Sequence, residues 1–101
     1  MSEIIGIKTD FGVGMINTTE VYSVEVFQQA VGPPAAYRVR IYYRTGGTIE
    51  KYSEIITQNQ TLADNVTIAK ELWDFLSNIT EGSNLFDPSV PIYILTTYNL
   101  S

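Results

Sequence analysis

Residues 37–44, Tyr-Arg-Val-Arg-Ile-Tyr-Tyr-Arg, alternate without a break. Tyr37, Val39, Ile41 and Tyr43 fall on one face, and Arg38, Arg40, Tyr42 and Arg44 on the other. That period of two marks a half-buried β-strand. Gly46-Gly47 supplies a turn, and residues 49–56 (IEKYSEII) return as an antiparallel partner. The side chains choose the register. A three-residue turn over Gly46, Gly47 and Thr48 sets Arg44 across from Glu50, Tyr42 across from Tyr52 and Arg40 across from Glu54. Opposite charges and aromatic pairs facing one another contribute about 0.2–1 kcal/mol each. A two-residue turn would instead set Arg44 against Ile49 and Tyr43 against Glu50, so the longer turn is favoured.

Working outward toward the N-terminus, residues 20–28 (EVYSVEVFQ) read as a second strand. Its alternation puts Tyr22, Val24 and Val26 on one face and Val21, Ser23, Glu25 and Phe27 on the other. Gly32-Pro33-Pro34 stops it, because proline lacks an amide hydrogen and restricts the residue before it. Residues 4–9 form a short first strand, and Asp10-Phe11-Gly12-Val13-Gly14 reads as a glycine turn after it.

Toward the C-terminus, residues 61–79 repeat apolar side chains at spacings of three and four: Leu62, Val66, Ala69, Trp73, Leu76 and Ile79. Ile68, Leu72 and Phe75 widen the stripe, which predicts an amphipathic helix lying on a sheet. Thr61 is placed to cap it, with Asp64 at the capping-box position. Residues 81–91 hold Gly82, Asn84, Pro88 and Pro91 and read as a loop. Residues 91–100 (PIYILTTYNL), rich in β-branched and aromatic types, read as a final strand.

The order is β-β-β-β-α-β over one domain spanning residues 1–101. The expected fold class is α+β: a mainly antiparallel sheet of four to five strands with one helix packed on one face. One helix covers one face only. The other is left to water or to a partner, and seven tyrosines suit such a face because their rings tolerate both.

Composition narrows the chemistry. The chain of 101 residues contains no Cys and no His. Disulfides, thiolate or imidazole metal ligands, and a Ser-His-Asp triad are therefore excluded. A general acid or base would have to be a carboxylate or lysine with a heavily shifted pKa. An all-oxygen site is the one metal chemistry left open, and neither a metal nor a cofactor is expected. Glu71 and Asp74, three apart on the helix, and Asp64 before them read as a solvated side opposite the stripe.

The formal net charge of −5 is unevenly placed. Residues 1–52 balance to zero, while residues 53–101 hold Lys70 against six carboxylates. An acidic surface disfavours the phosphate backbone of nucleic acids. No apolar run approaches a membrane span or a secretory signal, so the expectation is a soluble, cytoplasmic chain.

Two surfaces emerge as candidate sites. Arg38, Arg40, Tyr42 and Arg44 could bind an anion or nucleotide through guanidinium forks and ring stacking. The plainer reading pairs those arginines with Glu25, Glu50 and Glu54. Tyr93, Leu95 and Tyr98, on the last strand, are interface candidates, since an edge strand can pair across a twofold axis. Asp10-Phe11-Gly12 matches a kinase tripeptide, but without any other kinase element it reads as a turn. Sequons at Asn17, Asn59, Asn65 and Asn78 read as chance matches in a threonine-rich chain. The functional expectation is a small non-catalytic protein-interaction or accessory subunit that self-associates. The alternative is a small-ligand or anion-binding module using the arginine stripe.

Overall fold

The alternating runs fold into seven strands and one helix in a computed structural model that describes residues 4–18, 20–78 and 85–100. The strands are β1 (Ile4–Thr9), β2 (Gly12–Asn17), β3 (Glu20–Ala30), β4 (Ala36–Thr45), β5 (Ile49–Thr57), β6 (Leu85–Phe86) and β7 (Ile92–Asn99). The helix, α1, is Leu62–Ser77. The strands form two sheets, a larger one ordered β3-β4-β5-β7 and a smaller one ordered β2-β1-β6. The domain is α+β and mostly antiparallel, as the pattern of elements requires; only β6 runs parallel to its neighbour β1.

Seven strands replace the expected four to five. Two elements account for the difference. Gly12 and Gly14 make residues 10–14 look like a turn alone, yet only residues 10 and 11 turn, and residues 12–17 return beside β1. Two-residue β6 is too short to show any periodicity, and it lies inside the stretch that reads as loop. Part of that stretch, and residue 79 at the expected helix end, fall outside the described residues.

The register of β4 against β5 follows the charge and ring pairing. Arg44 faces Glu50, Tyr42 faces Tyr52 and Arg40 faces Glu54. Gly46 and Gly47 both take positive φ, which side-chain-bearing residues rarely adopt, and so allow the turn. In β3 a bulge at Tyr22 breaks the simple alternation. Val21 pairs with Tyr43 and Val24 with Ile41, so Val21 joins Val24 and Val26 on the inner face. The sequence expectation had set Val21 opposite them.

The helix forms where its cap predicts. Thr61 Oγ1 accepts the Asp64 amide at 3.2 Å. Its buried line is Asn65, Ile68 and Leu72, flanked by Ala69, Phe75 and Leu76. Trp73 and Leu62, expected on the stripe, lie at its exposed margin. The buried face is thus rotated toward Asn65, Ile68 and Leu72, and α1 packs on β3 and β4.

One face of the larger sheet carries the core: Val39, Ile41 and Tyr43 of β4, Ile55 of β5 and Ile92 of β7. Two elements roof that face side by side. The helix covers β3 and β4, while β1 and β2 lie against β7 and contribute Ile5, Ile7 and Ile16. The close approach of β2 depends on Gly14, where a Cβ would stand 2.8 Å from Leu95 Cδ2 and 3.1 Å from its Cβ. Ser53, buried within this core, shares hydrogen bonds with Thr97 Oγ1 at 2.8 Å and Tyr43 Oη at 3.4 Å. Buried hydroxyls that find partners cost little.

Candidate functional site

The outer face of the larger sheet is uncovered among the described residues, and it is organised in rows across the strands. Tyr42, Tyr52 and Tyr98 align through the β4–β5 and β5–β7 registers, and the bulge brings Tyr22 beside them. Successive ring centroids are 6.2, 5.7 and 5.1 Å apart, a four-tyrosine ladder spanning the sheet. Offset aromatic contacts of this kind stabilise beyond the area they bury.

Beside the ladder, Glu54 is clamped by two arginines. Arg38 Nη1 donates to its Oε1 at 2.8 Å and Arg40 Nε to its Oε2 at 2.9 Å. Glu54 is only 2% exposed although its sheet face meets solvent, because the two guanidinium groups and their stems cover it. Arg40 is also held between rings, 3.6 Å from the Phe27 centroid and 4.5 Å from that of Tyr52. Its burial favours the neutral form. Hydrogen bonds to Tyr42 and Glu54 outweigh that burial, so its pKa lies above the ordinary arginine value and the group stays charged. Arg44 lies 4.9 Å from the Tyr22 centroid and pairs with Glu50 at 3.5 Å.

The stripe singled out in the sequence is therefore assembled, with its charges engaged inside the molecule. Glu54 takes two arginines and Glu50 the third, whereas Glu25 accepts from Ser23 Oγ at 3.0 Å. Among the described residues, Arg38 Nε of this cluster is buried without a hydrogen-bond partner.

The three interface candidates on β7 do not share one surface. Tyr98 ends the ladder and is exposed. Tyr93 is exposed and meets Phe11 edge to face, with centroids 5.2 Å apart. Leu95 lies beneath Gly14, packed against the core. The strand is an edge of the larger sheet, and near its start the Asp10 amide donates to the Ile92 carbonyl at 2.7 Å.

A second surface went unread in the sequence. The smaller sheet turns Ile5, Ile7, Ile16 and Phe86 inward. Its outer face carries Ile4, Val13, Met15 and Leu85, which are 57%, 53%, 68% and 49% exposed. Met15 and Leu85 both flank Gly6, since each is its partner across a strand pair. Val13 Cγ1 and Leu85 Cδ1 close over that glycine, at 2.9 and 3.4 Å from where its Cβ would stand. The charged side chain at this margin, Lys8, lies 3.7 Å from Asp87. The signal was available in outline. Ile4-Ile5 puts apolar residues on both faces of β1, and Val13 and Met15 do the same opposite Ile16 in β2. A strand apolar on both sides is either covered twice or leaves one apolar side bare.

Among the described residues no three of His, Cys, Asp or Glu are grouped to hold a metal ion. Asp10 accepts from Gln58 Nε2, and Phe11 N–H donates to Thr9 Oγ1 at 3.2 Å, so the Asp-Phe-Gly tripeptide forms the β1–β2 turn. Glu71, expected to be solvated, instead ties α1 to the segment before β7. It accepts from the Ser89 hydroxyl at 2.6 Å and the Ser89 amide at 3.1 Å. Asn65 of one sequon is fully buried and donates to the Thr61 carbonyl at 2.6 Å, out of reach of any modifying enzyme in the folded chain. Among the described residues no helix is long and apolar enough to cross a membrane.

Comparison with known proteins returns no relative. No protein-family model matches the sequence, no curated protein is significantly similar to it, and no solved structure significantly resembles its fold.

Proposed function

We propose that this chain is a non-catalytic protein-interaction domain, a structural or accessory subunit that associates with copies of itself. The observation that carries the reading is the apolar outer face of the smaller sheet, where Ile4, Val13, Met15 and Leu85 are exposed among the described residues. Scattered apolar residues are ordinary on a surface; a contiguous patch on a regular element is the kind of surface that contacts often use. The absence of Cys and His from the chain removes most nucleophilic and metal chemistry, which favours binding over catalysis. Light scattering on the purified chain over a wide concentration range tests it. The expected mass rises with concentration above the 11.3 kDa of one chain. A constant monomer mass up to millimolar concentration contradicts the reading.

A second reading, a small-anion site on the stripe of Arg38, Arg40, Tyr42 and Arg44, has one observation in its favour: the unpartnered Nε of Arg38. Against it, an arriving anion must compete with Glu54 and Glu50 for guanidinium groups already engaged. Titration with inorganic phosphate, followed by the arginine side-chain resonances, separates the two. Saturable shifts at Arg38 and Arg40 favour the anion site.

A further inference from the structure

We propose that the edge strand β3 and the neighbouring margin of α1 form a groove for an extended peptide of a partner protein, one that alternates apolar and basic residues and pairs with β3 as an added strand. The inference rests on the protein-interaction reading and is independent of its self-association part.

The backbone comes first. β3 ends the larger sheet: β4 pairs with one side of it, and among the described residues no strand pairs with the other. A free edge presents a row of N–H and C=O groups to an incoming strand. With 11 residues β3 is the longest described strand, and no proline interrupts it. Its two register irregularities, between Val21 and Ser23 and between Gln28 and Ala30, leave residues 23–28 regular. The opposite edge, β7, is less free. The Asp10 amide takes the Ile92 carbonyl near its start, and β1 and β2 lie against it.

The helix supplies a pocket beside that edge. Val24 of β3 and Ala69, Lys70, Trp73 and Asp74 of α1 line an open cleft of about 410 Å³. Trp73 and Leu62 are exposed, and Leu62, Val66, Ala69 and Trp73 follow one margin of the helix at spacings of four, three and four. From residue 62 to residue 73 the helix rises about 16 Å, the length of about five residues of extended chain. Peptides that add to a sheet edge take affinity from main-chain hydrogen bonds and specificity from pockets for alternate side chains.

Side-chain alternation assigns the chemistry of the occupant. A strand paired with β3 turns every second side chain to the inner side, toward Val24 and Trp73, and the others to the outer side, beside Glu25 and Phe27. Apolar residues fit the inner set. Glu25 is exposed at this edge and the chain carries a net −5, so lysine or arginine fits the outer set. A second copy of β3 would instead bring another Glu25 and another −5 to the same edge.

The chain's single tryptophan lines the cleft and reports on it directly. The test titrates the full chain, followed by Trp73 emission, with a capped heptapeptide alternating lysine and valine and with its glutamate-for-lysine counterpart. The lysine peptide should shift the emission saturably to shorter wavelength, and the glutamate peptide should bind at least about tenfold more weakly. Glu25→Lys should remove that preference, with circular dichroism checking that the variant keeps its strand and helix signal. Successive amides of a strand point to opposite sides, so N-methylation of the lysine peptide at its valine amides or at its lysine amides should abolish binding in one form and spare it in the other. No saturable shift, a charge preference that is absent or that survives Glu25→Lys, or equal behaviour of the two methylated forms overturns the proposal. Light scattering on the same samples keeps the failures apart. A chain that self-associates without binding the peptide removes the groove and leaves the interaction reading standing, whereas a chain that does neither removes both.

Discussion

The two sheets finish their outer faces in opposite ways. On the larger sheet Arg38 and Arg40 close over Glu54, Arg40 lies between Phe27 and Tyr52, and four tyrosines stack across the strands, with Tyr22 and Tyr98 at the exposed ends of the row. The smaller sheet leaves Ile4, Val13, Met15 and Leu85 in contact with water. An uncovered sheet face is therefore no guide to a docking site by itself. A face whose charges and rings satisfy one another within the chain gains little from a partner, whereas an apolar face gains whatever area it removes from water. Substitutions on the ladder face should act on folding, and those on the small-sheet face on association.

The largest expected effect is at the clamp. Glu54→Gln keeps the shape and leaves Arg38 and Arg40 without a counter-charge. The expected loss is about 2–3 kcal/mol in urea denaturation, below the roughly 3–5 of a fully buried pair because both guanidinium groups keep some solvent. A loss under about 0.5 kcal/mol would mean that the clamp is merely a surface ion pair. Next comes the joint between the sheets. Gly14→Ala drives a methyl into Leu95 and should cost about 1–3 kcal/mol, measured the same way. Within the ladder, Tyr52→Leu gives up ring contacts to Tyr42 and Tyr98 and the Arg40 contact, for about 1 kcal/mol. At the half-exposed end of the stripe, Arg44→Ala should cost no more than about 0.5 kcal/mol. Smallest of all, Met15→Lys should change the stability of the dilute chain by less than about 0.5 kcal/mol, as ordinary surface substitutions do. If Met15→Lys destabilised the monomer as much as Glu54→Gln, the contrast between the faces would fail.

The parts of this structure that were legible in the sequence are those where one physical preference acts alone. The β4–β5 register followed from charge and ring pairing, with no competing register of equal quality. The helix start followed from Thr61, whose hydroxyl has one helical amide to satisfy. What stayed hidden needed knowledge of a neighbour. Gly12 and Gly14 read as turn residues, yet Gly14 is required because β2 crosses close over Leu95. Trp73 looks like the centre of an apolar stripe, yet Ile68 and Leu72 fit under the helix and the indole is left at its margin. The bulge at Tyr22 reassigns Val21 to the inner face, and nothing local in residues 20–28 announces it.

The candidate site divides along the same line. The pairing of Arg40 with Glu54 and of Arg44 with Glu50 could be read from register alone. The second arginine on Glu54 could not, because Arg38 reaches it diagonally across the strands. The apolar face of the smaller sheet was missed altogether, because recognising it requires β2 and β6 to exist as strands.

The salt dependence of self-association tests the central contrast most directly. Raising ionic strength from about 0.05 to about 0.5 M shortens the screening length severalfold and removes most repulsion between exposed charges. Two chains of net charge −5 that meet through an apolar face should then associate more tightly in sedimentation equilibrium. Association that weakens as salt rises would place charged groups in the contact, and would contradict the account of which face is self-sufficient and which is not.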